Sequence, residues 1–389
     1  MENLLDMVGL EDAFGAVDVT SQKQKNAIAE WFRLYYGGEE QGFDGCLSLP
    51  YTLVRKLTRA VFGEYSASGG QFAQKVLQGL DAVRVRAMEL ALVGGECCLK
   101  PVTDGKNWQF QLLDRRQVLV FARDPMGNIT DMGTCERSVA GRQYFTLLER
   151  RFLENGQLVL ENKLFRSAQP SLLGRQVPLN VHPLYAALPE RFVFEGSAGS
   201  LALAVVKNPA ANCVDGSCEG VSVFAPAVGL IRNLARNEWL LNGEFERGQS
   251  RIVVSADLLD QGQLKDNVFV GLDDSAQNVG VTVFAPALRE QAFLNRKQAW
   301  LRDVENVLGL KRGLLANVDE VQRTATEVTS SQGEYALTIL ELQRAWETAA
   351  RQAVEACRWL AERYGMDCDG VQTEFRWGDG KLWGAAAGQ

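Results

Sequence analysis

The sequence predicts an α+β fold in which helices come first and last and an antiparallel sheet lies between them. Three observations carry this. The hydrophobic period is helical up to Val93, switches to two between Glu96 and Phe165, and turns helical again beyond Pro226. Two long amphipathic stretches, 226–247 and 286–308, flank a strand-rich insert at Arg251–Phe284. Finally, Thr324-Ala325-Thr326-Glu327 opens a proline-free run to Tyr364 and has the form of a capping box, in which Thr324 accepts from the backbone and Glu327 reaches back. About forty residues make a rod of roughly 60 Å, against about 11–12 residues for an average helix.

In chain order, residues 1–19 show weak patterning and read as a loosely held arm. Ser21–Tyr36 is a helix with Ile28, Trp31, Leu34 and Tyr35 on one side and Gly37-Gly38 as its stop. Pro50 starts a second helix where its missing N–H costs nothing, with Leu53, Val54, Leu57 and Val61 facing inward. Gln71–Val93 is a third, with Phe72, Val76, Leu80, Val83 and Ala87 at helical steps. Strands follow at Glu96–Val102, Trp108–Leu113, Gln117–Arg123, Ile129–Glu136, Gln143–Phe152 and Gln157–Phe165. Separators such as Asp104-Gly105 and Glu154-Asn155-Gly156 predict a single antiparallel meander. Four prolines mark 166–190 as a long loop, after which Arg191–Phe194 and Leu201–Lys207 add strand character.

Val223-Phe224-Ala225-Pro226-Ala227 recurs as Val283-Phe284-Ala285-Pro286-Ala287, each copy placing a proline in the first turn of a long helix. Two such helices with a β insert at their tip form a stalk. On the last helix, Leu342, Trp346, Ala350, Ala353, Cys357, Leu360 and Tyr364 make an apolar stripe. Arg344, Glu347, Arg351, Glu355, Arg358 and Glu362 alternate in sign alongside it. Gly333 is the expected site of a bend, and Val371–Trp377 has strand character. The expectation is that all three long helices bury their apolar faces against copies of the same chain.

Composition narrows the function. With 41 Lys and Arg against 48 Asp and Glu, the net charge is −7, which disfavours a protein that grips nucleic acid through many phosphate contacts. No apolar run reaches the ~20 residues that span a bilayer, and Met1-Glu2-Asn3 does not open a signal peptide. Eight cysteines without a CxxC pair read as reduced thiols. The single histidine, His182, is the only one available to a Ser/His, Cys/His or His-ligated zinc site. Leu92-Val93-Gly94-Gly95-Glu96 follows a helix and precedes a strand, the reverse of a phosphate-binding loop, and lacks the GK[ST] ending. No catalytic, cofactor or metal residues are therefore predicted, and the chain is not expected to be an enzyme. Cations do exceed acids within 286–312, where Arg289, Arg296, Lys297, Arg302, Lys311 and Arg312 oppose Glu290, Asp303 and Glu305. Some of them, Lys311, Arg312 and Arg323 above all, are candidates to lie close to a passing polyanion.

The ordered segments resemble the portal proteins of tailed bacteriophages, particularly those of long-tailed phages of Gram-positive hosts. Trp31-Phe32-Arg33-Leu34-Tyr35-Tyr36-Gly37 is similar to that family's W-x-x-L-Y-x-G. Ala91-Leu92-Val93-Gly94-Gly95 with Leu99-Lys100-Pro101 resembles its helix-to-sheet junction. Lys207-Asn208-Pro209 and Gly220-Val221-Ser222-Val223-Phe224 resemble the approach to its stem. Arg323-Thr324-Ala325-Thr326-Glu327-Val328 with Ser330 is the most specific match. Each motif alone is weak, but together they span about residues 25–365 in the family's order.

The resemblance implies a portal fold. Residues 1–223 would be an α/β wing, 224–250 and 286–308 the stem helices, and 251–285 a small β-rich clip. Residues 309–326 would be the tunnel loop, 327–365 a long bent tunnel helix, and 366–389 a C-terminal strand and tail with the crown absent or vestigial. It further implies a self-assembled ring, usually of twelve subunits, at one capsid vertex of the virion, formed in the host cytoplasm. The implied partners are the terminase large subunit, the major capsid and scaffolding proteins, a head–tail adaptor, and double-stranded DNA passing without sequence specificity. No membrane partner and no cofactor are implied. The channel-facing candidates are Lys311, Arg312, Arg323, Thr326 and Ser330, with Thr324 and Glu327 as the helix cap. The alternatives are another capsid or head–tail connector, and a DNA-processing or hydrolytic enzyme with its site in the sheet.

Overall fold

Where the sequence has a helical period, helices form. The computed structural model describes residues 9–37, 48–248, 251–255, 268–271, 281–284, 287–317 and 325–378. Helices α1 (Leu10–Phe14), α2 (Gln22–Tyr36), α3 (Leu49–Phe62) and α4 (Gln71–Gly94) lead the chain. Ser21 caps α2 by accepting from the Gln24 N–H at 3.2 Å, and Gly37 closes it at φ 74°. Leu53, Val54, Leu57 and Val61 of α3 join Val76, Leu77 and Leu80 of α4 in one core.

The predicted single meander is instead two sheets. Strands β2 (Glu96–Thr103) and β3 (Trp108–Asp114) pair antiparallel, and β10 (Ala204–Lys207) returns from far along the chain to flank β2. Strands β4 (Val118–Arg123), β5 (Ile129–Ala140), β6 (Gln143–Glu154), β7 (Gln157–Ser167) and β8 (Arg175–Val177) form a second, antiparallel sheet, with β9 (Arg191–Val193) also on β7. The break falls at Asp114-Arg115-Arg116-Gln117, a turn closed by the Gln117 N–H donating to the Asp114 carbonyl at 2.9 Å. Such charged residues ordinarily face water, but here Asp114, Arg115 and Arg116 are all buried. Arg115 turns inward to Glu219 and the Val118 carbonyl, while Arg116 pairs with Asp114 and lies 4.1 Å from the Phe32 ring centre. The inward-turned arginines, not hairpin pairing, set the direction of β4.

The N-terminal arm is also corrected from residue 9 onward. Leu10 and Phe14 are buried with Leu119, Phe121, Cys135, Leu148 and Phe165, on the face of the second sheet opposite Val118, Val120 and Met132. The Val19 N–H donates to the Val120 carbonyl at 2.8 Å, so the arm runs along β4. The loop at 166–190 contains β8 and a 3-10 turn at Leu179–Val181.

After β10 the chain passes through a loop and a 3-10 turn, Ala225–Ala227, into α5 (Val228–Arg247). Strands β11 (Arg251–Ser255), β12 (Val268–Gly271) and β13 (Val281–Phe284) follow, β12 parallel and β13 antiparallel to β11. Helix α6 spans Glu290–Val307. The repeated pentapeptide therefore has two structures: Phe224 is fully buried before α5, whereas Val283 and Phe284 belong to β13. The second helix starts at Glu290 and not at 286, and Val283 and Phe284 pair with Ile252 and Arg251.

Helix α7 (Ala325–Arg363) is continuous through Gly333. Thr324 lies outside the described residues, and so does its cap. The C-terminal strand β14 (Thr373–Arg376) pairs with β1 (Ser66–Gly69) between α3 and α4. Where burial against copies was expected, the second half of α7 is enclosed within the chain. Leu342, Trp346, Ala350, Ala353, Cys357 and Leu360 all join the main core, and only Tyr364 of the stripe is exposed. Trp346 packs edge-on to Phe62 at 5.3 Å, and its indole N–H donates to the Tyr65 hydroxyl at 3.3 Å. The alternating charges form along one face, with Arg351 on Glu347 and Arg358 on Glu355 and Glu362.

Candidate functional site

Helices α5 and α6 run side by side in opposite directions, because the last turn of α5 meets the start of α6 while the middle of α5 meets residues farther along α6. Asn237 donates to the Phe293 carbonyl at 3.1 Å, Lys297 meets Glu238 at 2.7 Å, and Arg289 meets Glu244 at 2.8 Å. Arg232 ties the base of α5 to Glu30 of α2 at 2.5 Å. Leu234 of α5 and Val304 of α6 are fully buried in the main core, whereas Trp239, Phe245, Leu288 and Leu294 are exposed farther out. The pair is thus rooted in the body of the chain and projects away from it, retaining an apolar outer surface.

The structure sorts the cations singled out in 286–312. Arg289 and Lys297 stitch α6 to α5, and Arg296 lies 4.5 Å from the Trp300 ring centre on its own helix. Lys311 and Arg312 are different: among the described residues neither has an acidic partner, and Arg312 is exposed. They occupy the turn that leaves α6. Arg323 lies outside the described residues, and the side chains of Thr326, Glu327 and Ser330 do too, although their backbones form the first turns of α7.

That turn is built around an acid. Glu305 is 1% exposed, and its carboxylate accepts the backbone N–H groups of Gly313 at 3.1 Å, Leu315 at 2.6 Å and Ala316 at 2.9 Å. The Leu310 N–H donates to the Glu305 carbonyl at 2.8 Å. Gly309 and Gly313, at φ 59° and 85°, make the reversals that an L side chain would strain. Lys56 of α3 donates to the Leu314 carbonyl, and Gln298 accepts from the Asn317 N–H at 2.7 Å. Leu310 and Ala316 are buried at the two ends. Sequence reasoning counted Glu305 only as a surface counter-charge. Its position one turn beyond Leu301, on the buried edge of α6, was the available signal.

No family model matches the sequence, and no curated protein matches it. The chain is similar to a solved structure described as "Neck of native GTA particle computed with C12 symmetry", at 13% identity over 94% of this chain and 87% of that chain, with a TM-score of 0.48.

A second charged cluster fixes the approach to α5. Arg115 donates to Glu219 at 2.5 Å and to the Thr20 hydroxyl at 2.8 Å, and Arg123 meets Glu219 at 3.1 Å and Glu96 at 3.2 Å. Burial alone would raise the Glu219 carboxyl, but Arg115 and Arg123 more than offset this and hold it below its ordinary value. The cluster borders a cleft of about 580 Å³ between the β4–β5 turn, residues 199–207 and α7.

The other candidates have structural settings. His182 is buried against Phe145 and Tyr185, with ring centres at 4.8 and 5.0 Å. Burial pushes the Cys98 and Cys135 thiols up to about 12, so both are neutral at neutral pH. Among the described residues no three His, Cys, Asp or Glu are placed to hold a metal ion, and no helix is long and apolar enough to cross a membrane.

Proposed function

We propose that this chain is a portal-type structural subunit of a tailed-phage particle. On this reading it forms a ring through which double-stranded DNA passes, and it performs no catalysis itself. One observation carries the reading: antiparallel α5 and α6 project from an α/β body and hold a three-stranded sheet, β11–β13, between them in the chain. The 39-residue α7 is the next described element after the cationic turn. In this assignment the body through Val223 is the wing, α5 and α6 are the stem, and 251–285 is the clip that meets terminase and head–tail adaptors. The loop after α6 borders the channel. Exposed Trp239, Phe245, Leu288 and Leu294 then face neighbouring subunits, where burial of such side chains contributes about 25 cal/mol per Å². The acidic balance repels the duplex from most of the wall, and a sparse set of cations damps its motion without trapping it.

Electron microscopy of the purified chain tests the proposal. Rings with a central hole, viewed down their symmetry axis, are expected, and a strict monomer across protein concentration and salt would sink it. Deletion of 251–285 should leave rings that no longer recruit terminase in a pull-down. Rings that never bind terminase, with or without 251–285, would point to another head–tail connector.

A further inference from the structure

We infer that Glu305 is a positioning residue, whose buried carboxylate fixes the 308–317 loop so that Lys311 and Arg312 form a preset contact for the phosphate oxygens of a duplex. The inference rests on the portal reading above and names how its channel loop is held.

Three features converge. Successive N–H groups in a turn make a concavity suited to an anion, and here the concavity at Gly313–Ala316 is occupied by the chain's own Glu305. Hydrogen bonds to an ionised acceptor are roughly twice as strong as neutral ones, so three of them on one buried carboxylate make a firm anchor. Second, Glu305 directs its charge to backbone donors and pairs with neither cation, so it does not compete with phosphate for Lys311 or Arg312. Third, the remaining flanks are tied independently, by Lys56 on the Leu314 carbonyl and Gln298 on the Asn317 N–H. A loop meant only to connect α6 to α7 would have no need of so many separate anchors, drawn from side chains of both α6 and α3.

The test uses full-length assembled protein and a labelled DNA duplex of random sequence, with affinity followed against salt. Lys311→Ala with Arg312→Ala should lower the slope of log affinity against log salt by about 0.9 for each phosphate no longer neutralised. Glu305→Gln is the decisive variant because two accounts predict opposite signs. It keeps both cations and removes one negative charge, so charge balance alone predicts tighter binding. Positioning predicts binding about ten-fold weaker, the equivalent of roughly one charged hydrogen bond, with a smaller salt slope and faster amide exchange at 313, 315 and 316. Gln298→Ala, which changes no charge, should weaken binding in the same direction.

Should Glu305→Gln bind as tightly as the parent or more so, while the double alanine variant still loses affinity, positioning is overturned and the channel reading survives. If the double alanine variant binds like the parent, both fall for this loop. If Glu305→Gln fails to assemble, the parent protein and Gln298→Ala decide. Fast exchange of the 313, 315 and 316 amides in the parent, or unchanged binding by Gln298→Ala, overturns the inference.

Discussion

Arg115 and Glu219 lie 104 residues apart in the chain, yet their side chains meet at 2.5 Å with almost no solvent contact. A buried pair of this kind gains little over apolar replacements, but breaking it strands a charge. Arg115→Met should therefore cost about 3–5 kcal/mol in urea unfolding, toward the lower end because Arg123 still reaches Glu219. Replacing both partners with methionine should cost less than Arg115→Met alone. A double variant less stable than that single variant would contradict this account of the cluster.

Acid should expose a second buried ion cluster. Glu149 is buried between Lys100 at 2.6 Å and Arg151 at 2.6 Å. Burial raises its carboxyl, but Arg151 and Lys100 outweigh that and bring it from 4.5 to about 2. A carboxyl depressed in the folded state stabilises above its unfolded value and loses that contribution as pH falls through the folded one. Stability should thus drop by on the order of 3 kcal/mol between pH ~4.5 and ~2 on this group's account. Glu149→Gln should be less stable at neutral pH and show a shallower decline across that window, measured by denaturant midpoints at each pH.

Two tryptophans on long helices should behave oppositely. Trp346 is fully buried on α7 and Trp239 is half exposed on α5. Trp346→Ala should cost about 3–5 kcal/mol in the isolated subunit. Trp239→Ala should leave subunit stability within about 0.5 kcal/mol and weaken self-association, read by sedimentation across concentration. Equal effects on stability would contradict the placement of one in the core and the proposal that the other lies at a subunit interface.

Gly79 gives a prediction whose sign depends on packing. In the middle of a helix, alanine is better than glycine by about 1 kcal/mol. On α4, however, an added Cβ would collide with the Trp108 carbonyl of β3. Gly79→Ala should therefore destabilise, and a rise in melting temperature would show that α4 can move away from the sheet.

Much of this architecture can be read from periodicity. Leu53, Val54, Leu57 and Val61 fall inward as their spacing demands, and β5, β6 and β7 form where alternation and turn residues place them. What pattern reading misses is polar residues turned inward. Asp114-Arg115-Arg116 has the composition of a solvent turn, and its burial is tolerable because Arg116 pairs with Asp114 while Arg115 reaches the distant Glu219. For the same reason the division of the sheet could not be foreseen, since β10 lies about a hundred residues beyond β2. Among the proposed channel residues, Lys311 and Arg312 stand out by charge alone. Glu305 does not, because its partners are backbone N–H groups, which are identical in every sequence.

The docking of residues 9–20 along β4 has a consequence for how closely copies of this chain can crowd together. A sheet border with free amides invites strands from other molecules. Here the Val120 carbonyl is already taken by Val19, and the Val120 amide lies within reach of Asp18. An intruding strand would first have to peel Leu10 and Phe14 off the sheet, so the chain seals its own seam before any neighbour arrives.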